Sequence, residues 1–244
     1  MIHRVTHMRK LNPGPGRNYL FGNSGLYTPY SIVIPGSAGR RLNLNDTTVA
    51  EMIASIQLIR NDLVVGIGTG FLIAPDIVLT ARHVFSGAHD RYNIALGFDA
   101  EASVGSSIKQ VRRKVTHNQL DLCVLLIEGA QKQWFRLATH PPKIDEDADI
   151  AGYGFSHSDG RLRCSQGTGS ITSLDPRSKS IWYLINTSSG DSGGPIFQQR
   201  AGHYEVVGVH SEGAGDVLMG NQGVLLDDEV VSDIREMVSL AKEQ

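Results

Sequence analysis

The sequence predicts an all-β protein built as two β units, with one helix at its C-terminal end. Three observations support this expectation. Short β-type runs follow one another with no helical pattern between them, a Pro-Pro break interrupts them near the middle, and the last stretch repeats apolar residues at helical spacing. A chain of 244 residues with 41% hydrophobic side chains can fill one large β core or two small ones.

Residues 1–48 are rich in Gly, Pro, Ser and Asn, with short apolar runs such as Ser31-Ile32-Val33-Ile34, and read as an N-terminal arm or pro-segment. From Ile53 the texture changes. Ile53 to Ile59, Val64 to Ala74 and Asp76 to Ala81 are β runs broken by Asn-Asp, Gly and Pro. Tyr92 to Phe98, Lys109 to Thr116 and Leu122 to Ile127 follow, giving a first unit over residues 49–140. Leu137 to Asp147, with Pro141-Pro142 and its acidic residues, reads as a linker. The second unit, 141–226, holds Asp149 to Tyr153, Gly167 to Ser173, Ser180 to Ile185, Pro195 to Phe197, Tyr204 to Ser211 and Gly223 to Leu226. In 227–244, Asp227 and Asp228 can cap a helix start, and Val230, Val231, Ile234, Val238 and Ala241 form its apolar face.

The net charge of -2 and the scattered Lys and Arg give no reason to expect nucleic-acid binding or attraction to a membrane surface. Arg112-Arg113-Lys114 is read as a solvated strand end. No run approaches the roughly 18 apolar residues of a membrane span, and the basic N-terminus has no apolar run behind it to form a secretory signal. Two cysteines, Cys123 and Cys164, suit a reducing compartment, so the expected location is cytoplasmic.

The strongest chemical signal is Ser188-Ser189-Gly190-Asp191-Ser192-Gly193-Gly194-Pro195. A serine that attacks a carbonyl needs backbone N–H groups aimed at the developing oxyanion, on a loop without side chains in the way. Glycines at 190, 193 and 194 allow this, with the amides of Gly190 and Ser192 as the oxyanion hole. Alone, the motif also fits a glycine-rich hairpin turn. Leu79-Thr80-Ala81-Arg82-His83-Val84 places His83 at a strand end, where it can act as a general base, although a lone histidine there is more often structural. Asp121 opens the apolar run Leu122 to Ile127. Burying its carboxylate is costly unless it is paired, and a histidine Nδ1–H is a suitable partner; a strand-start Asp facing water is the plainer reading. Gly190 to Gly194 also satisfies the G-x-S-x-G elbow, but that arrangement needs an acid and then a histidine after the serine, and only His203 and His210 follow.

His83, Asp121 and Ser192, in this order and these contexts, resemble the trypsin-like peptidase superfamily from about residue 50 onward. Val84 stands where vertebrate trypsins have a cysteine. Together with Ile150-Ala151-Gly152-Tyr153-Gly154, Gly167-Thr168-Gly169-Ser170-Ile171-Thr172 and Val206-Val207-Gly208-Val209-His210-Ser211, it makes the chain most similar to the glutamyl endopeptidase (V8-like) branch. The resemblance implies two six-stranded antiparallel β-barrels of chymotrypsin-like type, with His83 and Asp121 from the first and Ser192 from the second. It implies a serine endopeptidase acting on protein or peptide substrates with no metal and no organic cofactor. It also implies an S1 pocket of Thr187, His210, Ser211 and Gly213 that holds Glu or Asp before the cut, with Asn186 where selectors of Lys or Arg carry Asp. Glu212 departs from the branch, which has a neutral residue there. Ile32-Val33-Ile34-Pro35 resembles a mature N-terminus, so residues 1–31 are expected to be a pro-segment cut near Ser31, and a regulatory protein partner fits the same picture. The reading from another class is a catalytically silent protease-fold binding or scaffold protein.

Overall fold

A computed structural model describes residues 47–97, 108–154, 164–213 and 220–243; the expected pro-segment, nearly all of the arm, and Phe98 lie outside them. The first barrel grows from a hairpin. β1 (Ile53–Arg60) turns into β2 (Leu63–Ala74) across Asn61 and Asp62, whose φ values of 50° and 62° make the two-residue turn that matches strand twist. β3 (Ile77–Thr80), β4 (Arg91–Leu96), β5 (Ile108–Lys109), β6 (Val111–Thr116) and β7 (Cys123–Ile127) complete the order β5-β4-β1-β2-β3-β7-β6. Only Gln110 separates the two end strands, so one bent strand closes the sheet as a six-stranded barrel. Ala54, Ile56, Leu58, Leu72, Val78, Ile94 and Leu125 fill it.

The second barrel comprises β9 (Asp147–Gly152), β10 (Ser165–Asp175), β11 (Ser180–Tyr183), β12 (Pro195–Arg200), β13 (His203–Gly213) and β14 (Asn221–Leu225). They run β12-β9-β10-β11-β14-β13, and pairing of β12 with β13 closes the ring around Ile150, Ile171, Ile181, Ile196 and Leu225. A further strand, β8 (Arg136–Leu137), joins β13 in parallel, Glu205 opposite Arg136. The chain therefore enters the second sheet ahead of residue 140, and the expected linker begins inside a strand.

Among the described residues two α-helices flank the barrels. α1 (Thr47–Met52), which the sequence reading did not anticipate, buries Val49 and Met52 in the core between the barrels. α2 (Asp228–Lys242) begins at Asp227, whose carboxylate accepts from the Val230 amide at 3.0 Å. Its buried face is Val230, Val231, Ile234, Met237 and Ala241, with Val238, which the sequence placed on that face, half-buried. This helix leaves the second barrel and packs on β6 and β7 of the first.

Among the described residues no helix is long and apolar enough to cross a membrane. Cys123 and Cys164 are not bridged. Burial pushes the Cys123 thiol up to about 12, with Lys114 opposing and Asp121 adding to the shift, so it carries no nucleophilic thiolate. The basic triplet on β6 is internally partnered: Arg112 pairs with Glu128 at 3.4 Å, Arg113 donates to the Glu243 carbonyl, and the Lys114 ammonium sits 4.7 Å from the Phe85 ring centroid.

Candidate active site

β3 is fully buried between β2 and β7, and at its end the chain makes a 3-10 turn, Arg82–Phe85. Val84 anchors that turn: a Cβ on Gly68 would lie 2.5 Å from Val84 Cγ1, so the glycine leaves room for the valine. An apolar contact thus fastens the turn. His83 projects from it toward Asp121. The His83 amide donates to Asp121 Oδ1 at 2.8 Å and His83 Nδ1 lies 2.6 Å from Asp121 Oδ2.

Asp121 ends a loop that is itself tied down. The His117 amide donates to the Leu122 carbonyl at 3.0 Å, and Arg82 donates to the carbonyls of His117 and Asn118 at 3.1 and 3.2 Å. His117 Nδ1 accepts from the amides of Gln119 and Leu120 at 3.1 and 2.8 Å, which leaves Nε2–H to donate to Asp233 Oδ2 of α2 at 3.2 Å. Ser211 Oγ also donates to Asp121 Oδ2, at 2.5 Å. Burial alone would raise the pKa of Asp121, but the bonds and charge of His83, with the Ser211 hydroxyl, hold it down at about 2. Asp121 is therefore an ionised acceptor, and the His83 proton sits on Nδ1.

Ser192 lies on the loop before β12. Ser188 to Asp191 form a turn closed by the Asp191 amide on the Ser188 carbonyl at 3.0 Å, with Gly190 at φ +102° in its third position, as a type II turn requires. The fully buried Asp191 folds back and accepts from the Ser188 amide at 2.8 Å. The Gly193 amide donates to His210 O at 2.8 Å, and the Gly194 amide to Asp191 O at 2.8 Å. Among the described residues the amides of Gly190 and Ser192 donate to no protein acceptor.

The two halves meet here. Ser192 Oγ donates to the Ser211 carbonyl at 3.4 Å, so Ser211 touches Ser192 through its carbonyl and Asp121 through its hydroxyl. The hydroxyl of Ser192 makes this bond rather than one to His83. Of the expected pocket residues, His210 is fully buried with its Nδ1 2.5 Å from the Tyr183 hydroxyl. Burial, reinforced by the Asp191 carboxylate, raises the Tyr183 pKa well above the ordinary phenol value, so this hydroxyl stays protonated. Thr187 is 2% exposed and its Oγ1 has no partner among the described residues. Ser211 and Gly213 are half-buried on β13, while Glu212 faces solvent.

The sequence reading missed Thr69, which joins β2 to the Ser192 loop, and Tyr183 and His117, which orient other side chains. Glycines on both sides of Thr69 were the available signal, since glycine inside a strand marks close backbone approach.

Two closed antiparallel barrels that bring a histidine, an aspartate and a serine to their junction define a protein of the chymotrypsin-like fold. The family described as Trypsin-like peptidase domain matches residues 68–209, more than half of the chain, and the chain belongs to that family. The structure is similar to that of a Glu endopeptidase solved in complex with MPD, with a TM-score of 0.70 over 87% of this chain and 100% of that one, at 22% identity. In sequence it is similar to the uncharacterized protein y4fB of Sinorhizobium fredii, 24% identical over 210 residues and 71% of this chain. The chain spans 29% of that relative's length.

Proposed function

We propose that this chain is a serine endopeptidase in which Ser192 is the nucleophile, His83 the general base and Asp121 the group that orients the imidazole and stabilises its protonated form. The observation that carries the reading is the doubly bonded His83–Asp121 pair, linked through Ser211 to Ser192. With the Nδ1 proton committed to Asp121, Nε2 is the atom left to take the Ser192 proton as Oγ attacks the scissile carbonyl. The amides of Gly190 and Ser192 stabilise the tetrahedral oxyanion. The amine leaves with the proton held by His83, and water, deprotonated by His83, then hydrolyses the acyl-enzyme.

The substrate is a protein or peptide, preferentially with Glu or Asp before the cut. A neutral Tyr183 hydroxyl on His210 Nδ1 favours the tautomer whose Nε2–H is a donor, and Thr187 adds a second hydroxyl without a competing partner. Processing near Ser31 completes the proposal; full activity of a chain that retains Met1 would reject that step. A mixed peptide library tests the rest, with Ser192→Ala as control. Cuts after Glu or Asp that vanish in the control support both triad and pocket, whereas cuts after other residues reject the pocket.

One observation favours a second reading, a silent protease-fold binding protein: Ser192 Oγ bonds Ser211 O and not His83. A fluorophosphonate probe separates the two, since only a nucleophilic Ser192 is labelled.

A further inference from the structure

We propose that Thr69 is a positioning residue for the oxyanion-binding loop, acting through its hydroxyl on Gly190 and through its amide on Ser192; this rests on the peptidase reading above. Thr69 belongs to the first barrel and has no exposed surface. Each of its polar groups is engaged. Its Oγ1 donates to the Gly190 carbonyl at 2.7 Å and accepts from the Tyr153 amide at 2.9 Å. Its amide donates to the Ser192 carbonyl at 2.8 Å, and its carbonyl accepts from Thr80 Oγ1 at 2.7 Å. Because the Tyr153 amide can only donate, the single hydroxyl proton of Thr69 is directed to Gly190.

These bonds define two peptide planes. The Gly190–Asp191 peptide is held at its oxygen by Thr69 and at its N–H by the Ser188 carbonyl. The Ser192–Gly193 peptide is held at its oxygen by Thr69 and at its N–H by the His210 carbonyl. Between them lies the peptide that carries the Ser192 amide, and just before them the one that carries the Gly190 amide. Both oxyanion donors are thus aimed by neighbouring planes whose oxygens end on one threonine. Packing keeps that threonine in place: a Cβ on Gly193 would stand 2.2 Å from Thr69 O, and one on Gly152 2.9 Å from Thr69 Oγ1. A residue that only welded the barrels together would have no need to grip the two peptides that flank the donors.

Thr69→Val keeps the shape and removes the hydroxyl; Thr69→Ser keeps the hydroxyl. In the chain freed of residues 1–31, Thr69→Val is expected to lower kcat for peptide cleavage on the order of 10- to 100-fold, with KM changed by less than about threefold. The rate of phosphonylation of Ser192 by a fluorophosphonate should fall by the same factor, and Thr69→Ser should restore both to within about twofold. If Thr69→Val does not fold, Thr69→Ala, which leaves space for a water, carries the same comparison. A folded Thr69→Val protein with wild-type kcat and wild-type phosphonylation rate overturns the role of Thr69 alone. Wild-type protein that neither cleaves nor reacts, with residues 1–31 present or removed, overturns the peptidase reading and this role with it.

Discussion

Around Asp121 the contacts go to the side chain, and around Ser192 they go to the main chain. The carboxylate accepts from the His83 amide, from His83 Nδ1 and from the Ser211 hydroxyl, while the loop behind it is knotted by His117 and Arg82. Ser192 is gripped by its carbonyl and by its neighbours' amides, and its hydroxyl has one long bond of 3.4 Å. The contrast fits the role proposed for each group. A buried charge is tolerable only when donors surround it, whereas a nucleophile that is heavily hydrogen-bonded cannot leave its partners to attack. The loop around Ser192 is therefore specified through backbone geometry, and that geometry depends on glycine.

Changes on the two sides should differ in kind. The largest effect is expected from Ser192→Ala, which removes the attacking atom and should lower kcat on the order of 10⁵- to 10⁶-fold in a peptide-cleavage assay. Asp121→Asn should come next, with a loss in kcat/KM of about 10⁴-fold, because an amide no longer dictates the imidazole tautomer. If Asp121→Asn cost less than tenfold, the side-chain half of the contrast would be wrong.

Gly193→Ala tests the main-chain half. At φ +85°, with Thr69 O and Thr80 Oγ1 each 2.2 Å from the new Cβ, it should destabilise the fold by about 3 kcal/mol or more, read by denaturant titration. Acid should act on the other half. Asp121 sits at about 2 against an ordinary 3.8, so the folded protein binds that proton more weakly than the unfolded chain. Its contribution, about 2 kcal/mol, is complete above roughly pH 4 and is lost as pH falls to about 2. Wild type should therefore lose more Tm between pH 4 and pH 2 than Asp121→Asn does. The smallest effect is expected away from both loops. Asp227→Ala removes the α2 cap and should cost about 1 kcal/mol, with activity retained.

What the sequence disclosed divides along similar lines. The strand runs were readable because alternation and turn residues are local, and Asn61-Asp62 is a hairpin signal by itself. That His83, Asp121 and Ser192 belong in one candidate site was suggested by the neighbours that constrain the backbone around each, and the structure brings them to one junction. β8 was not readable, since Arg136–Leu137 has no alternation of its own and becomes a strand only by lying beside β13. α1 is too short to show a period and is held by the burial of Val49 and Met52. Thr69 looks like any strand threonine until β2 and the Ser192 loop are brought together. The same is true of Tyr183, whose hydroxyl meets His210 only after β11 and β13 are built into one barrel.

The path of α2 has a consequence in time. Every strand of the first barrel has been synthesised once residue 127 is made, yet the helix that covers β6 and β7 begins only at Asp228, about 100 residues later. At roughly 5–20 residues per second, the ribosome leaves that apolar strip bare for about 5–20 s. Throughout that interval the loop bearing Asp121 lacks its tie from His117 to Asp233. The half that holds His83 and Asp121 is begun first and finished last, after the half that bears Ser192 has been made, so a nascent chain passes through synthesis with the proposed triad incomplete.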